Sequence, residues 1–348
     1  MPVPDEIPFA EYRSAVETPT QAELEIAQDF ATWLPDVVVD AHVHNALPEH
    51  VIQMTPRSLG HMASSFPWSS VEDSRRLHRQ LFPDTEVRCL RFAKAHPGYD
   101  HRAINEWLRQ EIVGSQDRFA LFGLQDDPEW TANELVRLRP AALKMYYMIT
   151  EPPGTTIEES FPPLVLQTCA ELGTPIILHL PRPITESISE LERVVDRYAG
   201  LIVVLAHLGV PLYSRPGLAE AYERVRALPN VHMDTACMEH ADVVSMAGEI
   251  VGWERVMYGS DDPISLLRAA PYVHPTKGPR VVPVDLMHWT DEEEYAAFGH
   301  LGKDAVLNHW QQLEAIAEAL RGRSEEQRIK QAVMCDNATA LFRFSLQT

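Results

Sequence analysis

Val37-Val38-Val39-Asp40-Ala41-His42-Val43-His44 is the stretch whose reading decides the fold. Three β-branched valines open it, which favours an extended strand. Polar side chains then alternate with Ala41 and Val43. Side chains two apart on a strand share a face, so His42 and His44 point the same way. Asp40 falls on that face too, where a carboxylate can orient a ligand histidine. Two neutral imidazoles so placed suit a borderline-soft cation such as Zn²⁺. Taken alone, the pair is equally compatible with an ordinary strand end.

Outward from this stretch the same rhythm recurs. Short apolar runs are predicted as strands at Val87 to Ala93, Arg118 to Leu124, Ala141 to Met148, Pro175 to Leu180, Leu201 to Leu208, Val231 to Thr235 and Val256 to Asp261. Helical periodicity lies between most of them, as at Ile104 to Val113, Phe161 to Leu172, Ile188 to Tyr198, Gly217 to Leu228 and Ala241 to Val251. Near-continuous apolar strands alternating with helices predict a parallel sheet covered by helices. Eight such units predict an α/β protein of the (β/α)8 TIM barrel class. An open doubly wound sheet is the rival, but it calls for a Gly-rich phosphate loop, and no G-x-G-x-x-G or Walker-type loop occurs.

Residues 1–36 read as an N-terminal helical extension and 37–345 as the barrel domain. In the extension, Thr18-Pro19-Thr20-Gln21 has the pattern of a helix start, running to about Trp33. After the eighth strand, residues 264–304 break the rhythm with proline, histidine and aromatics, and read as an insertion. A stretch of that length is usually functional or disordered. Helices are predicted again over Asp304 to Leu320, Ser324 to Met334 and Asn337 to Phe342.

The 348 residues fit one large domain with additions. A formal net charge of −20 argues against nucleic acid and against anionic membrane surfaces as partners. No apolar run approaches the roughly 18 residues of a membrane span. The start MPVPDEIPFAEYR has no basic segment followed by an apolar one, so no secretory signal is read. Cys89, Cys169, Cys237 and Cys335 are scattered, without a C-x-x-C pair, and read as free thiols of a cytoplasmic protein. A small-molecule substrate is the expected partner, and a homo-oligomer is compatible with the chain.

In a barrel, catalytic groups sit at the C-terminal ends of the strands. His179 ends the fifth predicted strand, His207 the sixth and Asp261 the eighth. All stand at the end that carries His42 and His44. His179 is a candidate metal ligand. His207 is a candidate for a second metal or for acid/base work. Asp261 can ligate a metal and accept a proton from its water, while Asp262 would point away.

This set resembles the amidohydrolase superfamily, and more narrowly its amidohydrolase-related (amidohydrolase 2) branch of small-molecule hydrolases and decarboxylases. The matching segments are Val39 to His44, Ile177-Leu178-His179, Ala206-His207-Leu208-Gly209, Tyr258 to Pro263, and Asn337-Ala338-x-x-Leu341-Phe342. The resemblance implies one divalent metal, zinc being the expected ion, held by His42, His44, His179 and Asp261. It implies that His207 acts on the substrate carbonyl or carries a proton. Lys144, on the fourth strand, is either a carboxylated bridge to a second metal, a substrate-binding ammonium or a structural lysine.

The leading expectation is hydrolysis of a small ester, lactone or amide by metal-activated water, with Asp261 as general base. The alternative on the same site is non-oxidative decarboxylation of an aromatic or unsaturated acid, and a lesser one is a non-catalytic relative. Arg91, Lys94 and Arg182 are candidate carboxylate clamps. Trp289, His288 and Tyr272 are candidate walls from the 264–304 segment, and His61, Trp68 and Arg75 from the segment after the first strand.

Overall fold

Eight parallel strands pair in chain order in the computed structural model, which describes residues 19–52, 69–150, 152–209, 216–276, 278–283 and 291–345. They are β1 (Val37–Asn45), β2 (Glu86–Ala93), β3 (Arg118–Phe122), β4 (Ala142–Met145), β5 (Ile176–Leu178), β6 (Val203–Leu205), β7 (Val231–Asp234) and β8 (Val256–Met257). The end of β8 returns to β1 through backbone bonds. Ala41 N–H donates to the Tyr258 carbonyl at 3.0 Å, Asp261 N–H to that of His42 at 2.9 Å, and His44 N–H to that of Asp262 at 2.8 Å. The sheet is thus closed into a (β/α)8 barrel, the class predicted from the sequence.

Helix α1 (Gln21–Ala31) precedes the barrel. Helices α2 (Val71–Leu81), α3 (His101–Glu111), α4 (Pro128–Leu138), α5 (Pro163–Leu172), α6 (Ile184–Arg197), α7 (Leu218–Arg226) and α8 (Ala241–Ala247) follow the first seven strands in turn. Periodicity did not single out α2 and α4. Their cap signals are nonetheless plain: Ser70 caps α2 in a capping box with Asp73, and Asp127 caps α4 with Pro128 in its first turn.

Alternation along the strands sorts the core into two layers. Val39, Ala41, Leu90, Phe92, Ala142 and Ile177 belong to the cluster inside the barrel. Val38, Leu121, Leu143, Met145, Ile176 and Leu178 belong to the larger cluster between barrel and helices. The chain closes with α10 (Asn308–Leu320), α11 (Glu326–Gln331) and α12 (Asn337–Phe342), reached after the 264–304 segment. Ala338 and Phe342 of α12 join the interior cluster, so this last helix plugs the end of the barrel remote from the site.

The 264–304 segment is ordered where it is described. β9 (Arg268–His274) and β10 (Gly278–Pro283) form an antiparallel hairpin, α9 (Glu292–Phe298) follows, and β11 (Val306–Leu307) pairs with β9. Helix α1 is tied to this sheet through one buried carboxylate. Glu23 takes two bonds from Arg268, at 2.9 and 2.7 Å, and one from the Leu307 N–H at 2.9 Å. No helix among the described residues is long and apolar enough to cross a membrane.

Candidate metal centre

The C-terminal ends of the strands surround a cavity lined by His42, His44, Lys94, Lys144, His179, His207 and Asp261, among others. Regular alternation does not carry all of these side chains there. β1 shifts register against β2 between Asp40 and Val43, a bulge that re-aims the strand end. His42 and His44 therefore face the cavity, whereas Asp40 faces outward, in one buried group with His78 of α2 and Asp262. His207, Cys237 and Asp261 have left-handed backbones, with φ of 56°, 51° and 68°. Such conformations cost on the order of 1–3 kcal/mol each and concentrate at functional sites.

The two β1 histidines present lone pairs to one carboxylate oxygen. His42 Nδ1 lies 2.9 Å from Asp234 Oδ2, and His44 Nδ1 lies 3.1 Å from the Ala93 carbonyl. Both partners are acceptors, so each Nδ1 carries a proton, and in the neutral ring that binds a metal Nε2 is bare. Yet the two Nε2 atoms face Asp261 Oδ1 at 3.3 and 3.2 Å. Lone pairs pointed at a carboxylate oxygen repel unless a cation stands between them. His42 Nε2 is buried and makes no hydrogen bond. Tetrahedral ligands at about 2.0–2.1 Å from zinc stand about 3.3 Å apart, which matches the observed spacing. The residues thus fit a divalent cation held by His42, His44 and Asp261.

A second cluster adjoins the first. His207 directs Nδ1 at the Ala236 carbonyl (2.9 Å) and Nε2 at His179 Nδ1 (3.1 Å). The His179 ring is also flanked by Tyr146 and Tyr147, at centroid distances of 5.0 and 5.5 Å. His179 is therefore in the cavity but outside the tight His42–His44–Asp261 group. Cys237 directs its thiol at Asp261 Oδ2 (3.3 Å), the carboxylate oxygen that the β1 histidines leave open.

Asp234, at the end of β7, joins the two clusters. Its Oδ2 holds His42, and its Oδ1 accepts the backbone N–H of His207 (2.8 Å) and of Ala236 (3.1 Å). Neither Asp234 nor Cys237 was singled out from the sequence. The signal for Asp234 was a carboxylate at a strand end after apolar residues, the same signal that marks Asp261. Cys237 carries none, because it lies three residues beyond β7 in an irregular turn.

Burial shapes the charges. It opposes ionisation of Asp261, but the surrounding histidines, His42 first, outweigh it and hold Asp261 well below the usual carboxylate range. Burial takes His44 down to about 4, and lowers His207 and, further, His179, so these rings are neutral at pH 7. Burial, then Asp261, pushes the Cys237 thiol well up. Lys94 and Lys144 are each brought down to about 8 by burial. The Lys94 ammonium is buried without a hydrogen-bond partner.

Other residues marked from the sequence lie elsewhere. Arg91 sits between the interior residues Leu90 and Phe92 and so points outward. There it donates to Asp117 (2.7 Å), Ser74 (3.0 Å) and Asn45 (3.2 Å). Arg75 reaches the same Asp117. Arg182 is half exposed and pairs with Glu190 at 3.6 Å. Tyr272 stacks on Phe298 at 4.4 Å within the 264–304 segment. Asp262 pairs with His78 at 2.8 Å, away from the cavity. Trp289, His288, His61 and Trp68 lie outside the described residues.

With fold and site in view, the chain can be placed. The amidohydrolase family model matches residues 39–344, and the protein belongs to that family. A protein assigned as a 2-pyrone-4,6-dicarboxylic acid hydrolase, from Pseudomonas putida, is similar in fold at 21% identity and TM-score 0.53, covering 90% of this chain and 100% of its own. A 2,6-dihydroxybenzoate decarboxylase from Rhizobium is similar at 14% identity and TM-score 0.54, covering 89% and 99%. An amidohydrolase from Burkholderia multivorans with bound zinc is similar at 13% identity and TM-score 0.54, covering 89% and 100%. No curated protein matches the chain in sequence.

Proposed function

We propose that this protein is a metal-dependent hydrolase that cleaves an ester, lactone or amide bond in a small substrate bearing a carboxylate. One observation carries the reading: two bare histidine nitrogens converge on one oxygen of Asp261, at tetrahedral spacing, in a cavity walled by two buried lysines. The donor set suits zinc, which when bound supplies Lewis acidity and an acidified water.

The remaining work falls to the chain's own groups. Asp261 is ionised across the neutral range and serves as both ligand and proton acceptor. His207, neutral and held by the Ala236 carbonyl, is the proton carrier on the other side of the cavity. His179 faces its Nε2 and completes that wall, or joins the cation once it is bound. Lys94 and Lys144, both buried, pair with the substrate carboxylate, an interaction strengthened by the low local dielectric. We assign Lys144 a free ammonium rather than a carboxylated bridge: burial brings it down to about 8, Asp234 and Asp261 offset part of that, and its Nζ stands over the Phe92 ring, 5.5 Å from the centroid, where a cation is favoured.

The same lysines favour a second reading, since a carboxylate gripped beside a cation is also what a non-oxidative decarboxylase needs. A panel of carboxylated lactones, esters and aromatic acids, assayed for ring opening or ester cleavage and for CO2, separates the two. Cleavage without CO2 is the outcome expected here. CO2 release without uptake of water would replace hydrolysis by decarboxylation.

A further inference from the structure

The carboxylate of Asp261 uses its two oxygens differently. Oδ1 faces His42 and His44, and Oδ2 faces the thiol of Cys237 at 3.3 Å. Ligand atoms of His207, Cys237 and Asp261 lie within 4.8 Å of one another, as do those of His42, His44 and Asp261. The two groups share Asp261 alone. We infer that His207, Cys237 and Asp261 Oδ2 form a second cation position, selective for a thiophilic divalent ion such as zinc or cobalt(II), joined to the first by Asp261 as a bridging carboxylate.

Three features support it. A sulfur ligand at about 2.3 Å and an oxygen ligand at about 2.0 Å of a tetrahedral zinc stand about 3.5 Å apart, close to the observed spacing. His207 has Nδ1 committed to a carbonyl, so Nε2 is its ligand atom, and the cation replaces the His179 N–H that now faces it; while this position is filled, His207 Nε2 and Asp261 Oδ2 are withdrawn from proton transfer, so the reaction proposed above runs with it empty. Finally, the three residues converge from three loops, each through a left-handed backbone that brings its side chain inward. Thiolate coordination selects zinc-like ions over magnesium or calcium. When the Sγ–metal bond forms, the thiol proton leaves to solvent. This differs from a site built on a carboxylated Lys144, because the additional ligand comes from the turn after β7 instead of from β4.

The inference rests on the metal centre proposed above, and cobalt titration of the metal-free full-length protein tests each separately. Two equivalents per chain are expected, with a sulfur-to-cobalt charge-transfer band in the near ultraviolet. Cys237→Ser should bind one equivalent and lose the band. A single equivalent in the wild type without the band overturns the second position while leaving the first, and a single equivalent with the band overturns the pair of positions, because one ion then takes the thiolate. A band that persists in Cys237→Ser also overturns it. No cobalt uptake at all would overturn the first centre, and with it the proposed function.

Discussion

Asp234 Oδ2 stands 2.9 Å from His42 Nδ1, both groups fully buried, and it fixes which nitrogen of His42 is left bare for a ligand. The same carboxylate holds the His207 backbone through its other oxygen. One residue at the end of β7 therefore orients groups on both sides of the cavity. Outer carboxylates of this kind change metal affinity or activity by roughly 10–100-fold when removed. Asp234→Asn should weaken zinc binding by that order, measured by titration of the metal-free protein. Unchanged affinity would mean that His42 is held by packing alone.

Gly259 makes the same point by shape. A Cβ at this position would lie 2.9 Å from His42 Cβ and 3.4 Å from Asp234 Cβ. Gly259→Ala should therefore displace His42 in a protein that still folds. A misplacement of about 1 Å at a reacting centre can cost on the order of 100-fold in rate. A loss of that size, with an unchanged circular dichroism spectrum, is expected.

The lysines predict a pH dependence. Binding a carboxylate needs the ammonium form of Lys94 and Lys144, and burial brings both to about 8. For a carboxylated substrate, kcat/KM should be flat toward neutral pH and fall as pH rises through about 8. An uncharged analogue should lack that limb. Replacing either lysine with methionine should raise KM by roughly 10- to 100-fold, the value of a charged hydrogen bond. A KM that ignores both substitutions would remove the lysines from substrate binding.

Arg91 is predicted to act on stability instead. Burial raises Asp117, but the charge and bond of Arg91 outweigh it, so Asp117 lies below its ordinary value. A depressed carboxylate contributes fully above about 4 and loses its contribution as pH falls below that. Among the described residues, Arg91→Ala leaves Asp117 with only the partly exposed Arg75 as its cation. Breaking a buried pair costs on the order of 3–5 kcal/mol. Thermal denaturation should show a fall of several degrees, with KM of the folded fraction unchanged. A raised KM with an unaltered melting temperature would return Arg91 to the substrate site.

How far the sequence could be read depends on which physical signal each residue carries. The barrel is legible because buried parallel strands are short apolar runs, and the helices between them are longer and periodic. Strand ends are legible for the same reason, so a histidine after Ile177-Leu178 or an aspartate after Tyr258-Gly259-Ser260 stands out. Orientation is harder. Arg91 reads as a clamp when its charge is considered, and as outward-facing when its parity with Leu90 and Phe92 is considered. Asp40 reads with His42 by alternation, but the bulge between Asp40 and Val43 separates them. The left-handed turns at His207 and Cys237 are set by tertiary contacts, with no glycine to announce them. Cys237 could not be placed at the site from cysteine spacing, because its neighbours there come from β6 and β8.

A cation held by His42, His44 and Asp261 is expected to be required for the reaction. The most direct measurement is activity of the chelator-stripped protein during stepwise return of zinc, alongside Asp261→Asn. Activity should vanish on stripping and return with bound zinc. In Asp261→Asn it should stay at least 10²-fold lower, the least that loss of a positioned base typically costs. Full activity in the metal-free wild type would contradict the account.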